Sequence, residues 1–229
     1  MTLPIIAIRP EPGCSATVER ASKAGLTIEP WPLFEVRPLA WDPPPARIDG
    51  LLLGSANAVR HAGPALDAFH GMPAYAVGRA TAAAAEAAGL HVVAEGHSDL
   101  QALLDTLRPP LTLLRLTGEE HVPLHRPLGV MIETRIAYRN APLPMPEGLA
   151  EILRSGALVL VHSAAAARHF AAECDRFGIP RAMIALATLA PRIADTLGVG
   201  WRACRAASEP LDAALLALAG DMCHDSPQG

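Results

Sequence analysis

The strongest constraint on this chain is that it repeats itself. DGLLLGSANAVRH (49–61) and ALVLVHSAAAARH (157–169) share an apolar run, a serine and an alanine-rich stretch. Ser55 matches Ser163, Ala58 matches Ala166, Arg60 matches Arg168 and His61 matches His169, each pair 108 positions apart. YAVGRATAAAAEAAG (75–89) then matches IALATLAPRIADTLG (184–198), with Gly89 and Gly198 109 apart. SDLQALLDTL (98–107) parallels EPLDAALLAL (209–218). Three blocks in one order at a nearly constant offset imply two copies of one structural module.

The module is α/β. Short apolar runs (PIIAI, DGLLLGS, PAYAVG, LTLLRLTG, GVMIETRIAY, ALVLVHS, MIALAT, WRACRAA) alternate with alanine-rich stretches of helical character. Strands alternating with helices build mainly parallel sheets. Gly25, Gly89, Gly178 and Gly198 each follow a helical run, where a left-handed cap favours glycine.

Two proline-dense segments interrupt the rhythm, residues 29–48 and 132–148, each holding an alternating stretch (33–39 and 132–138). Proline stiffens a connection and ends regular structure. The extended parts are expected to pair as a two-stranded ribbon. Residues 3–25 have no partner nearby in sequence and are assigned to the C-terminal copy. The expected layout is therefore 1–34 plus 143–229 as a discontinuous domain one and 40–131 as domain two. Residues 35–39 and 132–142 would be the paired linker strands. The fold class is two similar parallel-sheet α/β domains joined by a two-stranded β linker, with a cleft between them, where ligand sites are common.

Composition limits the function. With 51% hydrophobic and 18% charged residues, the chain can bury a core and is not disordered. A net charge of −4 speaks against a nucleic-acid coat. No apolar run approaches the ~20 residues of a bilayer span, and the start lacks a basic leader. The four cysteines, Cys14, Cys174, Cys204 and Cys223, form no C-x-x-C pair, so structural zinc is not expected and a reduced, cytoplasmic setting is. No phosphate loop, dinucleotide fingerprint, nucleophile elbow or H-E-x-x-H motif occurs. His121 and His125 share a proline-bearing loop, without metal-site spacing. Residues after Ala219 are expected to fray.

The candidate site lies where strands turn into helices. These junctions are Gly54-Ser55-Ala56, Gly78-Arg79-Ala80-Thr81 and Thr117-Gly118-Glu119 in one copy. In the other they are Arg9-Pro10, His162-Ser163-Ala164 and Ala187-Thr188. In parallel sheets these junctions share one edge. A helix amino end offers unpaired N–H groups and about half a positive charge, which suits an anion. Ser55, Ser163 and Thr188 read equally as plain helix caps. Glu119-Glu120 reads as an acidic first helical turn.

Order and spacing then carry a resemblance. IAIRPEP, WPLFEV, LLLGSANAVR, YAVGRATAAAAEAAG, LLRLTG and IAYR resemble the uroporphyrinogen-III synthase family from Ile5 to about Ala219. That resemblance implies two α/β domains joined by a two-stranded ladder. It also implies an enzyme that closes hydroxymethylbilane, a linear tetrapyrrole bearing acetates and propionates, with loss of water and inversion of ring D. No cofactor and no metal are implied. It implies a monomer, and a transient hand-over of substrate from hydroxymethylbilane synthase. Tyr138 matches the family tyrosine that would protonate the departing hydroxyl; packing at the hinge is the alternative. Arg9, Ser55, Gly78, Thr81, Thr117, Gly118, Ser163, Ala164 and Thr188 match positions that would bind substrate; capping domain one is the alternative for Arg9. Gly54, Ala187 and Ala190 stand where hydroxyl residues or glycine are commoner, which shifts the expected binding towards backbone N–H groups. A non-catalytic two-lobed protein closing on a small polyanion remains the alternative, and an isomer assay separates the two.

Overall fold

The computed structural model describes residues 3–224. Along the chain come β1 (Ile5–Ala7), α1 (Gly13–Lys23), β2 (Ile28–Pro30) and β3 (Phe34–Pro38). Next are β4 (Gly50–Leu53), α2 (Ala56–Arg60), β5 (Pro73–Val77), α3 (Arg79–Ala87), β6 (His91–Gly96), α4 (Leu100–Asp105), β7 (Leu111–Gly118) and β8 (Val130–Pro142). Then follow α5 (Glu147–Ser155), β9 (Ala157–Val161), α6 (Ala164–Arg176), β10 (Ile184–Thr188), α7 (Pro191–Ala194), β11 (Ala203–Ala206) and α8 (Asp212–His224). These elements form two compact units, 1–35 with 141–229 (unit 1) and 36–140 (unit 2). Each is taken separately.

Unit 1 holds a five-stranded sheet in the order β11-β10-β9-β1-β2, every neighbouring pair parallel. The inner strands β1, β9 and β10 are buried at every position. Helices cover both faces of such a sheet, so inner strands are apolar throughout instead of alternating. One face packs on α5 and α6 through Leu149, Leu153, Ala167 and Phe170. The other packs on α1 and α8 through Cys14, Ala21, Leu215 and Ala219. Phe170 is fully buried and stacks on Trp201, ring centroids 5.9 Å apart.

Unit 2 holds β3-β8-β7-β4-β5-β6, with β8, β7, β4, β5 and β6 mutually parallel. β3 runs antiparallel beside β8: Leu39 N–H donates to Ala137, and Leu143 N–H donates to Leu33. β8 does more than pair with β3, because Val130–Tyr138 also runs along β7. Two strands escape the sequence pattern, β2 and β6. The first has three residues, and the second is an edge strand of alternating exposure with Gly and His in it.

The two sheets share one strand order. Read as β2-β1-β9-β10-β11 and β8-β7-β4-β5-β6, they are the same arrangement with the chain cut at different places. What closes unit 2 as β7 and β8 opens the chain as β1 and β2. That is why the internal repeat matches the middle of each unit and fails at its ends. Two helices of unit 1 have no counterpart in unit 2: α5, which precedes β9 where no helix precedes β4, and α1. α1 joins β1 to β2, but β7 and β8 are joined by residues 119–129, which contain no helix. The acidic first helical turn expected at Glu119-Glu120 is therefore absent. Pro123 and Pro127 remove the N–H groups that a helix would use there.

Glycine caps behave as their chemistry requires. Gly25 (φ 77°) and Gly89 (φ 79°) follow α1 and α3 in left-handed conformations. Leu26 N–H turns back to Ala21, and Leu90 N–H to Ala85. The C-terminal fray expected after Ala219 does not begin there, since α8 continues to His224. The rest of that tail, 225–229, lies outside the described residues.

Because the cores are separate clusters, Phe170→Ala should cost unit 1 about 3–5 kcal/mol. Hydrogen exchange should show lost protection in β9 and β10, with β4 and β7 protected as in the wild type.

Candidate functional site

In a doubly wound sheet the chain starts mid-sheet, winds outward, and returns to the other side. The crevice at the carboxyl edge where the direction reverses is the usual ligand position. That point lies between β7 and β4 in unit 2 and between β1 and β9 in unit 1. The two points have different fates.

In unit 2 the edge is open. A cavity of about 470 Å³ is lined by Gly54 and Ser55 after β4, Arg115 and Thr117 on β7, Tyr138 on β8, and the first residues after β7. Asp99 and Glu120 also line it. Ser55 adopts extended backbone and accepts from Asn57 N–H, capping α2. The same Oγ lies 3.2 Å from the Tyr138 hydroxyl. When Ser55 donates, the phenolic proton is free to point at a ligand. Tyr138 is held by its neighbours. A Cβ on Gly118 would stand 2.7 Å from the tyrosine Cζ, so only glycine lets the ring lie there. Glu119 N–H donates to the Tyr138 carbonyl at 2.9 Å. The close approach at Gly118, expected to serve a ligand, thus serves Tyr138.

Asp99 caps α4, accepting from Ala102 N–H at 2.8 Å. His121 Nδ1 bonds the Gly118 carbonyl at 2.9 Å. Gln101 exchanges hydrogen bonds with the His125 backbone, tying the 119–129 segment to α4.

Other expected residues divide. Gly78 begins α3 at φ 80°, and the space beside it is open. Thr81 is buried and its backbone N–H donates to the Gly78 carbonyl at 2.9 Å, so its expected binding of substrate is corrected. It sits one turn into α3 with the sheet-facing alanines Ala82 and Ala85. Thr117 is almost buried yet reaches the cavity.

In unit 1 the corresponding point is occupied by the protein itself. Asp212, at the start of α8, accepts from Arg20 at 2.6 Å, His162 Nε2 at 2.9 Å, Thr17 at 3.1 Å and Arg9 at 3.4 Å. Arg9 is thus committed to an internal carboxylate, which corrects its expected pairing with substrate. Burial pushes the Asp212 carboxyl up, but the hydrogen bonds from His162, Arg20 and Thr17 outweigh it and hold the group well below the carboxylate range. Burial lowers His162, against the opposing pull of Asp212. Its Nδ1 is buried without a partner, so Nε2 carries the proton that Asp212 accepts. Ser163 caps α6 by accepting from Ala166 N–H at 3.1 Å, and Ala164 is the first residue of that helix. Thr188 neither caps a helix nor reaches solvent. It is fully buried, and its hydroxyl donates to Ala190 at 3.2 Å and to Arg205 at 3.4 Å. Its expected substrate contact is corrected.

Among the described residues, no three His, Cys, Asp or Glu side chains group as a metal site would require. No helix among them is long and apolar enough to cross a membrane.

The family model for uroporphyrinogen-III synthase HemD matches residues 15–217. The chain belongs to the uroporphyrinogen-III synthase family. Membership makes it a cyclising, lyase-type enzyme of porphyrin biosynthesis and disfavours the non-catalytic two-lobed binding protein. A search of the curated proteins found no match. Among solved structures, the uroporphyrinogen-III synthetase of Helicobacter pylori is similar in fold, with TM-score 0.63 and 16% identity over 96% of this chain and 99% of that one. A mutant uroporphyrinogen III synthase of Thermus thermophilus aligns at TM-score 0.48 and 17% identity, over 98% and 100%.

Two features of the site were missed from the sequence, Arg115 and the Asp212 network. A lone charge within LTLLRLTG was the available signal for the first, since a buried strand tolerates a charge only with a purpose. The second joins residues nearly two hundred positions apart and left no local pattern.

The Asp212 network makes unit 1 sensitive to acid. The unfolded His162 takes a proton near its ordinary value of 6.5 while the folded one resists, so stability falls as pH drops below that value. Asp212 adds stability that is full above its ordinary 3.8 and is lost as pH falls through its depressed folded value. Denaturant titrations from pH 8 to pH 3 should show the first loss and the onset of the second. Asp212→Asn should destabilise unit 1 by about 1–3 kcal/mol at pH 7 and flatten the slope below pH 4.

Proposed function

We propose that this chain closes hydroxymethylbilane to uroporphyrinogen III without cofactor or metal, and that the unit 2 pocket holds the reacting end. The observation that carries this reading is the Tyr138–Ser55 hydroxyl pair, 3.2 Å apart in the pocket at the sheet's reversal point.

The reaction loses one water. Tyr138, directly or through a water, gives a proton to the terminal hydroxyl, whose C–O bond breaks and leaves an azafulvene cation. Ser55 donates to the phenolic oxygen and stabilises the charge that develops as its proton departs. The cation forms a carbon–carbon bond at the substituted carbon of the last ring, giving a spiro intermediate. Rearrangement turns that ring over, and loss of a ring proton restores the pyrrole and the acid. A positioned acid is typically worth about 10²–10⁴-fold.

The substrate carries many carboxylates. Backbone N–H groups at the open start of α3, beside Gly78, suit one of them. Charge-assisted hydrogen bonds contribute about 1.5–3 kcal/mol each, so a few suffice. The intermediate can also close unaided to the uninverted isomer, so holding the chain curled matters as much as speed. In this reading the protein acts as a monomer that receives its unstable substrate from hydroxymethylbilane synthase.

Incubation with fresh hydroxymethylbilane, followed by isomer analysis, should give the type III product in excess of the spontaneous type I. A product mixture equal to the blank would overturn the reading. Tyr138→Phe keeps the ring over Gly118 and removes the hydroxyl. It should lower kcat about 10²–10⁴-fold with little change in melting temperature; undiminished turnover would remove Tyr138 from the mechanism.

A further inference from the structure

Arg115 lines the unit 2 pocket with no ion pair for its charge among the described residues. It lies in the middle of β7, opposite Leu52 of β4 and Thr134 of β8. Only 7% of it is exposed. Its Nη2 donates to the Val122 carbonyl at 2.8 Å, and its Nε is buried with no partner. Among the described residues no carboxylate pairs with it; Asp99 is engaged as a helix cap, and Glu120 makes no ion pair with it. A guanidinium taken from water without a counter-charge is costly.

The repeat shows that the fold does not need it. Leu52 pairs with Arg115, and Leu160, its counterpart 108 positions on, pairs with Ala7. Unit 1 thus has a buried alanine where unit 2 has an arginine. In unit 1, α1 and α8 fill the space beyond that position. In unit 2 the helix equivalent to α1 is replaced by residues 119–129, and a cavity stands there instead. A charge that the duplicated fold omits elsewhere, facing a space that only this copy leaves open, points to a ligand.

We propose that Arg115 is a carboxylate-binding residue of the unit 2 pocket, taking an acetate or propionate side chain of the tetrapyrrole. The inference rests on the reading given above for the pocket's substrate. The planar fork suits a carboxylate bound through two parallel hydrogen bonds. Nε has no partner within the protein, and the Val122 carbonyl holds Nη2 in place.

The test uses the full chain with Arg115→Met and Arg115→Lys. Uroporphyrin III, the fluorescent oxidised form of the product with all its carboxylates, reports binding without turnover. Arg115→Met should raise its Kd, and the KM for hydroxymethylbilane, about 10–100-fold, with kcat changed far less. Arg115→Lys should fall between, keeping the charge and losing the fork. Arg115→Met should melt no lower than the wild type, because it removes a buried charge that lacks a partner. Unchanged Kd and KM in Arg115→Met, or failure of the wild type to bind the porphyrin, would overturn the proposal. A lower melting temperature with unchanged binding would assign Arg115 to structure and overturn it equally. If the wild type makes no excess of the type III isomer, the enzyme reading fails while the porphyrin titration still decides Arg115.

Discussion

Parallel strands cannot be joined by a tight turn; each must return through a crossover. Every strand of such a sheet therefore ends at the same edge, and every following helix begins there. This rule places Ser55, Gly78, Thr117 and Tyr138 along one edge of unit 2, and Arg9, His162 and Ser163 along one edge of unit 1. Small residues at these junctions leave the backbone accessible. The reversal point of each sheet then selects the place where two neighbouring strand ends diverge and leave room.

The two copies use that room differently. In unit 1 it receives α1 and α8, which bring Thr17, Arg20 and Asp212 to meet Arg9 and His162. Every strong charge there has a partner inside the protein, which makes the edge a structural joint. In unit 2 the 119–129 segment forms no helix, the space stays open, and the groups facing it include a tyrosine, a serine, two carboxylates and an arginine that pairs with neither of them. A duplicated fold thus carries one edge settled for stability and one left unsettled. Stability and function commonly trade in this way, since a group poised for a ligand is a group the folded protein leaves unsatisfied.

Tyr138 shows how little freedom such a site permits. Its ring rests on Gly118, its carbonyl is bound by Glu119, and its hydroxyl meets Ser55. Three elements converge on one side chain, so its position belongs to the sheet and not to a loose loop. Sites built on rigid elements hold their geometry best.

The sequence alone determined the alternation of strands and helices, the duplication, the strand–serine–helix junctions and the glycine caps. Each is local: apolar runs, a cap residue or a left-handed glycine act over a few neighbours, so their signal survives in the order of residues. It also marked Tyr138 and Ser55, through the resemblance and the repeat. Tertiary structure decided the rest. Whether Thr81 and Thr188 face a ligand or the core depends on which face of a helix or strand packs inward. Whether Arg9 is free depends on Asp212, 203 positions away. Whether Arg115 is a stray charge or a waiting one depends on a missing helix across the sheet. Such facts arise from packing between distant segments, and a residue's neighbours in sequence carry no record of its neighbours in space.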